Sequence, residues 1–283
     1  MTNVSVVINT LNEEKNLPRV LSSVKDIAKE VIIVDMKSDD STVEIAKRFG
    51  AKVYDYKRMG YVEPARNFAI SKASNDWILI LDADEELPKS LVNKLKEVSK
   101  DPKADYYGLP RKNLIFGKWI KHSRWWPDYN IRFFKKGKVS WTEVIHSVPI
   151  TQGVGLDLEA KEEFSIIHHN YDSLEKYFER MNRYSSVQAR TLIESGYKFM
   201  WVDLIKHPTS EFISRFFAAE GYKDGIHGLA LSILQAFSEA MVYLKIWQSE
   251  KFPDQEIPFK EVKRHLNLSI GQTNWWINES IIK

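Results

Sequence analysis

Trp77-Ile78-Leu79-Ile80-Leu81-Asp82-Ala83-Asp84 is a run of apolar residues that ends in two carboxylates one residue apart. Its length and its abrupt polar end read as a strand buried on both faces. Strands of that kind belong to parallel sheets covered by helices on each side. Side chains repeat every two residues along a strand, so Asp82 and Asp84 project toward the same open edge. Two carboxylates held that close repel each other unless a cation lies near them. Oxygen ligands suit Mg²⁺ or Mn²⁺, which commonly bridge carboxylates to phosphates. The plainer reading of an isolated Asp-x-Asp is a solvated acidic turn.

The stretches before and after this run follow the same rhythm. Val4 to Asn9 and Val31-Ile32-Ile33-Val34-Asp35 read as buried strands, and Lys52 to Tyr56 as a third. Between the first two, Leu17, Val20, Leu21, Val24 and Ala28 recur at helical spacing. Ser41-Thr42-Val43-Glu44 has the form of a capping box, opening a helix that Gly50 closes. Pro64 to Ala73 and Pro88 to Ser99 read as helices flanking the Trp77 strand. Alternating strands and helices predict an α/β fold with a mostly parallel sheet. Ligands of such sheets bind beyond the carboxyl ends of the strands. Thr10-Leu11-Asn12-Glu13, Asp35-Met36-Lys37-Ser38-Asp39-Asp40 and Asp82-Ala83-Asp84 all fall there.

The pattern changes after Asp101. Tyr106 to Phe116 and Tyr129 to Phe134 read as strands, with Lys136-Gly137 as a hairpin turn. From Ser173 the chain reads as helical, with Leu174, Tyr177, Phe178 and Met181 on one stripe. Further helices are expected over Thr209 to Tyr222 and Ile226 to Trp247. The last is long enough to raise the question of a membrane span. His227, Gln235, Glu239 and Lys245 argue against a simple span and for an interfacial or packed helix. Phe212, Phe216, Phe217 and Trp201, with Lys206, Arg215 and Lys223, suit a headgroup zone. A core or dimer helix is the alternative.

The 283 residues include no cysteine, which excludes disulfides, thiolate metal sites and cysteine nucleophiles. Lys and Arg number 41 against 38 Asp and Glu, too even a balance to imply nucleic acid. The N-terminus enters a strand at once, so no secretory leader is expected.

Taken together, Thr10-Leu11-Asn12-Glu13-Glu14, Val34-Asp35 with Ser38, Asp40 and Thr42, Ala65-Arg66-Asn67, and Asp82-Ala83-Asp84 resemble glycosyltransferase family 2. Trp126-Pro127-Asp128-Tyr129 with Arg132-Phe133-Phe134, and His168-His169-Asn170-Tyr171-Asp172-Ser173, are similar to its subgroup of lipopolysaccharide-core β-1,4-glucosyltransferases. The resemblance implies the GT-A fold, a Rossmann-like, mostly parallel sheet with helices on both faces, here with a C-terminal helical extension. The implied domains are 1–170, with a nucleotide-sugar half to residue 100 and an acceptor half from 101, and a helical region over 171–283.

The resemblance also implies roles. Thr10, Asn12, Glu13, Asp35, Ser38, Arg66, Asp82, Ala83 and Asp84 would bind the nucleotide sugar, with Asp35 on the base and Arg66 facing the base and Asp35. Asp84 and Asp82, with His146 and His168 as further candidates, would hold Mg²⁺ or Mn²⁺. Trp125 and Trp126 would stack on the acceptor. An inverting transfer needs a carboxylate base. The subgroup often has His-Glu where this chain has His146-Ser147, so Asp128 and Glu143 are the substitutes. Asp128, beside aromatic residues, is expected to have a raised pKa.

The implied activity moves a hexose from a nucleotide diphosphate sugar, most simply a UDP-sugar, to a glycan or lipid-linked acceptor. The implied place is the cytoplasm, peripheral on the inner face of the membrane. A sugar-phosphate nucleotidyltransferase would carry a Gly-rich loop after the first strand, where this chain has Thr10 to Lys15 without glycine. A non-catalytic, membrane-associated nucleotide-binding scaffold is the reading from another class.

Overall fold

The computed structural model describes residues 3–58, 63–142 and 148–281. The chain divides into two compact units, Met1–Asn113 with Pro127–Asn170 and Leu114–Trp126 with Tyr171–Lys283.

The first unit opens with β1 (Val4–Thr10), α1 (Leu17–Ser23), β2 (Ala28–Asp35), α2 (Thr42–Arg48), β3 (Lys52–Asp55), α3 (Glu63–Ser71) and β4 (Trp77–Asp82). Next come β5 (Glu85–Glu86), α4 (Lys89–Lys100), β6 (Tyr106–Ile115), β7 (Lys118–Trp119), β8 (Asp128–Lys135), β9 (Val139–Ser140), β10 (Ile150–Thr151), β11 (Gly155–Asp157) and β12 (Ile166–Tyr171). β7 lies in the second unit, where it forms a hairpin with the end of β6.

The sheet runs β3-β2-β1-β4-β8-β6-β12-β5. Its first four strands are parallel, and β8 then pairs antiparallel with both β4 and β6. The result is a mixed, mostly parallel α/β sheet. Each face buries a cluster. Ile8, Leu79, Leu81 and Phe133 meet Leu17, Val20, Leu91 and Leu95 of α1 and α4 on one side. Val34, Ile78, Ile80 and Phe134 meet Ala65, Ala69 and Ile70 of α3 on the other. Trp77 stacks on Phe133 with centroids 4.6 Å apart. Burying each such side chain contributes about 1.5–3 kcal/mol relative to exposure.

In the first unit, local expectations differ from the structure in two places. Ser41 makes no side-chain cap on α2, and its N–H donates to Glu14 Oε2 at 3.1 Å. Asp40 does the capping instead, accepting the Thr42 N–H at 2.9 Å. The turn at Gly137 forms, with φ +81°, but β9 leaves β8 and pairs with β10.

The second unit is helical. α5 (Leu174–Glu194) is capped by Ser173, and α6 (Asp203–Ile213) runs into a single π turn over Ser214–Ala218. α6 begins before Thr209 because the buried Asp203 accepts the Met200 N–H, which starts the turn, and Pro208 is carried within the helix. α7 (Ile226–Ser249) follows a 3-10 turn, and α8 (Phe259–Ile281), which periodicity did not reveal, ends the described chain. A Cβ on Gly228 would lie 1.8 Å from the Gly221 carbonyl oxygen, so only glycine lets α7 approach that turn.

α7 is long and apolar enough to cross a membrane by length and composition. It turns its polar side chains inward. Gln235 Nε2 donates to Tyr177 Oη at 2.8 Å, and His227 Nε2 meets the Phe116 carbonyl at 3.2 Å. Lys245 Nζ reaches Asn182, Ser185 and Ser186. Ile226, Ile233 and Phe237 lie exposed on the opposite stripe.

Candidate active site

Two loops at the carboxyl ends of β1 and β2 are laced together by short polar side chains. Asp35, 2% exposed, accepts from Thr10 Oγ1 at 2.9 Å, from Ser38 Oγ at 2.6 Å and from the Ser38 N–H at 2.8 Å. The Asn12 N–H donates to Ser38 Oγ at 2.8 Å, and Asn12 Nδ2 to Asp39 Oδ1 at 2.6 Å. The Glu13 N–H donates to Thr42 Oγ1 at 2.8 Å. Asn12 and Lys37 hold positive φ, 58° and 62°, within these turns. Thr10, Asn12, Glu13, Asp35 and Ser38 therefore do come together, as a polar rim at the sheet edge with Thr10 and Asp35 buried beneath it.

The Asp82-Ala83-Asp84 turn divides its labour. Asp82 Oδ1 accepts from Arg66 Nη2 at 3.0 Å, and Oδ2 is paired with Arg132. Burial would raise the Asp82 pKa, but Arg132 and Arg66 outweigh it and hold the carboxyl far below its usual range. Two expectations are corrected here. Arg66 faces Asp82, not Asp35, and lies 5.6 Å over the Trp141 ring. Asp82 gives both oxygens to arginines, so it is not presented as a metal ligand. Ala83 packs into the core below.

Arg132 also reaches Glu85 Oε1 at 2.8 Å, and Arg111 lies 3.4 Å from the same oxygen. Arg111 in turn holds Asp128 Oδ2, at 2.9 Å from Nε and 2.7 Å from Nη2. Asn113 Nδ2 donates to the same oxygen at 3.0 Å, and Asn130 Nδ2 to Oδ1 at 3.1 Å. Burial would raise the Asp128 pKa, but Arg111 and Asn113 outweigh it and lower it. The expected raised value is thus reversed, and the carboxylate is saturated with donors. These partners alternate along strands: Arg111 and Asn113 on β6, Asp128, Asn130 and Arg132 on β8, His168 and Asn170 on β12. The period of two was the signal for Arg111, Asn113 and Asn130, which motif reading passed over, and for the role of Arg132, which the Arg132-Phe133-Phe134 motif includes without assigning one; Glu85 stands directly after the acidic pair.

His168 Nδ1 lies 2.6 Å from Asn113 Oδ1, and His168 Nε2 3.6 Å from Asp84 Oδ2. An amide oxygen can only accept, so Nδ1 donates to Asn113, and Nε2 is the ring nitrogen that faces Asp84. A hydrogen-bond acceptor on one ring nitrogen commonly orients the other toward a metal. Among the described residues no three His, Asp or Glu side chains gather as a metal cage. Asp84 with His168 fits Mg²⁺ or Mn²⁺ that takes its remaining ligands from phosphate and water.

Trp125 and Trp126 belong to the second unit. Trp126 meets Trp119 edge-on at 5.2 Å, and Trp125 packs with Ile115, Ile120 and Leu231. Glu143 and His146 lie outside the described residues.

The family model described as Glycosyl transferase family 2 matches residues 5–154. An uncharacterized glycosyltransferase of Rickettsia typhi is 33% identical over 87% of this chain and 87% of its own. The lipopolysaccharide core biosynthesis glycosyltransferase LpsC of Rhizobium meliloti is 24% identical over 87% of this chain and 92% of its own. The solved structure of S. aureus TarS 1-349 in complex with UDP aligns with a TM-score of 0.49 at 14% identity, covering 91% of this chain and 95% of that one.

Proposed function

This chain belongs to glycosyl transferase family 2 and is a nucleotide-sugar-dependent glycosyltransferase, and we propose that it moves a hexose from a UDP-sugar, with inversion, to a hydroxyl of a cell-envelope glycan or lipid-linked acceptor. The observation that carries the donor reading is the pairing of Asp84 with His168 beside an Asp82 already neutralised by two arginines. In this reading Asp84 and His168 hold Mg²⁺ or Mn²⁺. When bound, that ion supplies positive charge to the leaving diphosphate. Asp35, oriented by Thr10 and Ser38, accepts from the base, and the Asn12–Glu13 loop flanks the nucleoside.

For the base we propose Glu143. Asp128 is bound by Arg111, Asn113 and Asn130, and its depressed pKa makes it a poor proton acceptor. Asp128 then serves to hold the strand-face network in place. Similarity to LpsC supports a lipopolysaccharide-core type of acceptor, in line with the resemblance of the Trp126 and His168 segments. The outward apolar stripe of α7 supports peripheral contact with the cytoplasmic face of a membrane.

Calorimetric titration of the full chain with UDP, with and without Mn²⁺, tests the donor reading. Binding strengthened by Mn²⁺ is expected; binding indifferent to it counts against the metal site. Glu143→Gln is expected to lower turnover about 10²-fold or more while leaving UDP affinity in place. Unchanged turnover removes Glu143 as base.

A further inference from the structure

We infer that Glu85 is a positioning residue for the metal-bound end of the donor: it fixes Arg132 and Arg111, and through them keeps Asp82 turned away from the cation that Asp84 and His168 meet. This rests on the metal reading above.

Glu85 is 0% exposed. Burying a carboxylate and two guanidiniums is costly, and apolar replacements of such networks are often neutral or stabilising. Stability alone therefore gives little reason for this residue. Its two oxygens have different partners. Oε2 accepts the Asp82 N–H at 2.9 Å and closes the turn that carries both aspartates. Oε1 accepts from Arg132 at 2.8 Å and faces Arg111 at 3.4 Å. Arg132 continues to Asp82, and Arg111 to Asp128. The Glu85 backbone is also the cross-strand partner of His168. One side chain thus joins the aspartate turn to β8 and β6, and its backbone meets the strand that carries the histidine.

A separate observation points the same way. Arg132 Nε, Arg66 Nε and Asn9 Nδ2 are buried, with no acceptor among the described residues. All three residues lie beside Asp82: Asn9 is its register partner, and the arginines are its ion-pair partners. The cluster is short of acceptors, so the two oxygens of Glu85 are not spare. Removing one would let the arginines reorganise around Asp82.

The test uses the full chain and UDP as probe, titrated with and without Mn²⁺. Glu85→Gln keeps the shape and loses the charge, Glu85→Asp keeps the charge and loses the reach, and Arg132→Lys keeps the charge and loses the fork. Each is expected to weaken Mn²⁺-dependent UDP binding by about ten-fold or more, the usual scale when groups that orient metal ligands are changed. Mn²⁺-free UDP binding is expected to stay within about two-fold. Glu85→Gln combined with Arg132→Lys is expected to lose little beyond the larger single loss, because the two act as one unit. Equal losses with and without Mn²⁺ would mark a purely structural role and overturn the inference. So would three variants that bind like a Mn²⁺-responsive wild type, with the metal reading left standing. A wild type that ignores Mn²⁺ overturns both. If Glu85→Gln does not fold, Glu85→Asp and Arg132→Lys decide.

Discussion

The rim over β1 and β2 and the strand face of β6, β8 and β12 bind polar groups in opposite ways. On the rim, Thr10, Asn12, Ser38 and Thr42 are short side chains on turns, tied mostly by hydrogen bonds to one another and to nearby backbone. On the strand face, Arg66, Arg111 and Arg132 are long side chains that span between elements and pair with Asp82, Glu85 and Asp128. A rim of short groups holds a shape. A mesh of long charged groups holds a balance of charge, and it answers to the loss of any one member.

The sharpest break between the two regions is Asp84→Ala. Mn²⁺-dependent UDP binding is expected to vanish in titration calorimetry, with Mn²⁺-free binding kept. Asp35→Ala should do the reverse and weaken UDP with and without metal. A hydrogen bond to a charged group contributes roughly 1.5–3 kcal/mol, or about ten-fold or more in affinity. Asp35 also anchors Thr10 and Ser38, so a fall in thermal midpoint is expected alongside. If Asp35→Ala and Asp84→Ala give the same pattern, the two regions do not bind separate parts of the donor.

Asp128→Asn probes the mesh by pH. The Asp128 pKa is lowered in the fold, so its contribution is present above the unfolded value of about 3.9 and is lost as pH falls below it. The variant should therefore be less stable than wild type at neutral pH, and the gap should narrow on acidification below about pH 4. Urea midpoints at pH 7 and pH 3 check this; a constant gap would show that the ion pair is not what Asp128 contributes. The smallest expected effect on catalysis is that of Phe237→Glu on the exposed stripe of α7. It should reduce co-sedimentation with anionic vesicles several-fold and leave UDP affinity unchanged. Unchanged sedimentation would return α7 to the role of an ordinary packed helix.

The legibility of the site follows the same division. Asp35, Asp82 and Asp84 stand where buried apolar runs end, and such ends are visible because the strand period and the run length coincide. The rim residues lie close behind in sequence, on the turns that those strand ends require. The mesh is assembled from positions 66, 85, 111, 128, 132 and 168, and the period of two within β6 and β8 does not say which strands are neighbours. Reading it needs the order β4-β8-β6, which depends on antiparallel returns rather than on a repeating strand-helix unit. The partner of Arg66 was missed for another reason: periodicity does not say which strand end α3 covers, and α3 packs on the Asp82 face of the sheet. The polar lining of α7 was visible residue by residue as His227, Gln235, Glu239 and Lys245, while its inward direction had to come from the packing.

The pair between Arg132 and Asp82 also bears on how the chain finds its register. β4 is a seam, parallel to β1 on one side and antiparallel to β8 on the other, with Leu79 opposite Phe133. Side chains alternate along β8, so a slip of one residue would carry Arg132 through the sheet to the opposite face. That face is filled by Leu79, Leu81, Leu91 and Leu95. A lone guanidinium there would cost several kcal/mol in lost hydration. The pair thus works as a checksum on strand alignment. A misaligned sheet leaves an unbalanced charge in its core, so the register that fills the core is also the one that assembles the mesh.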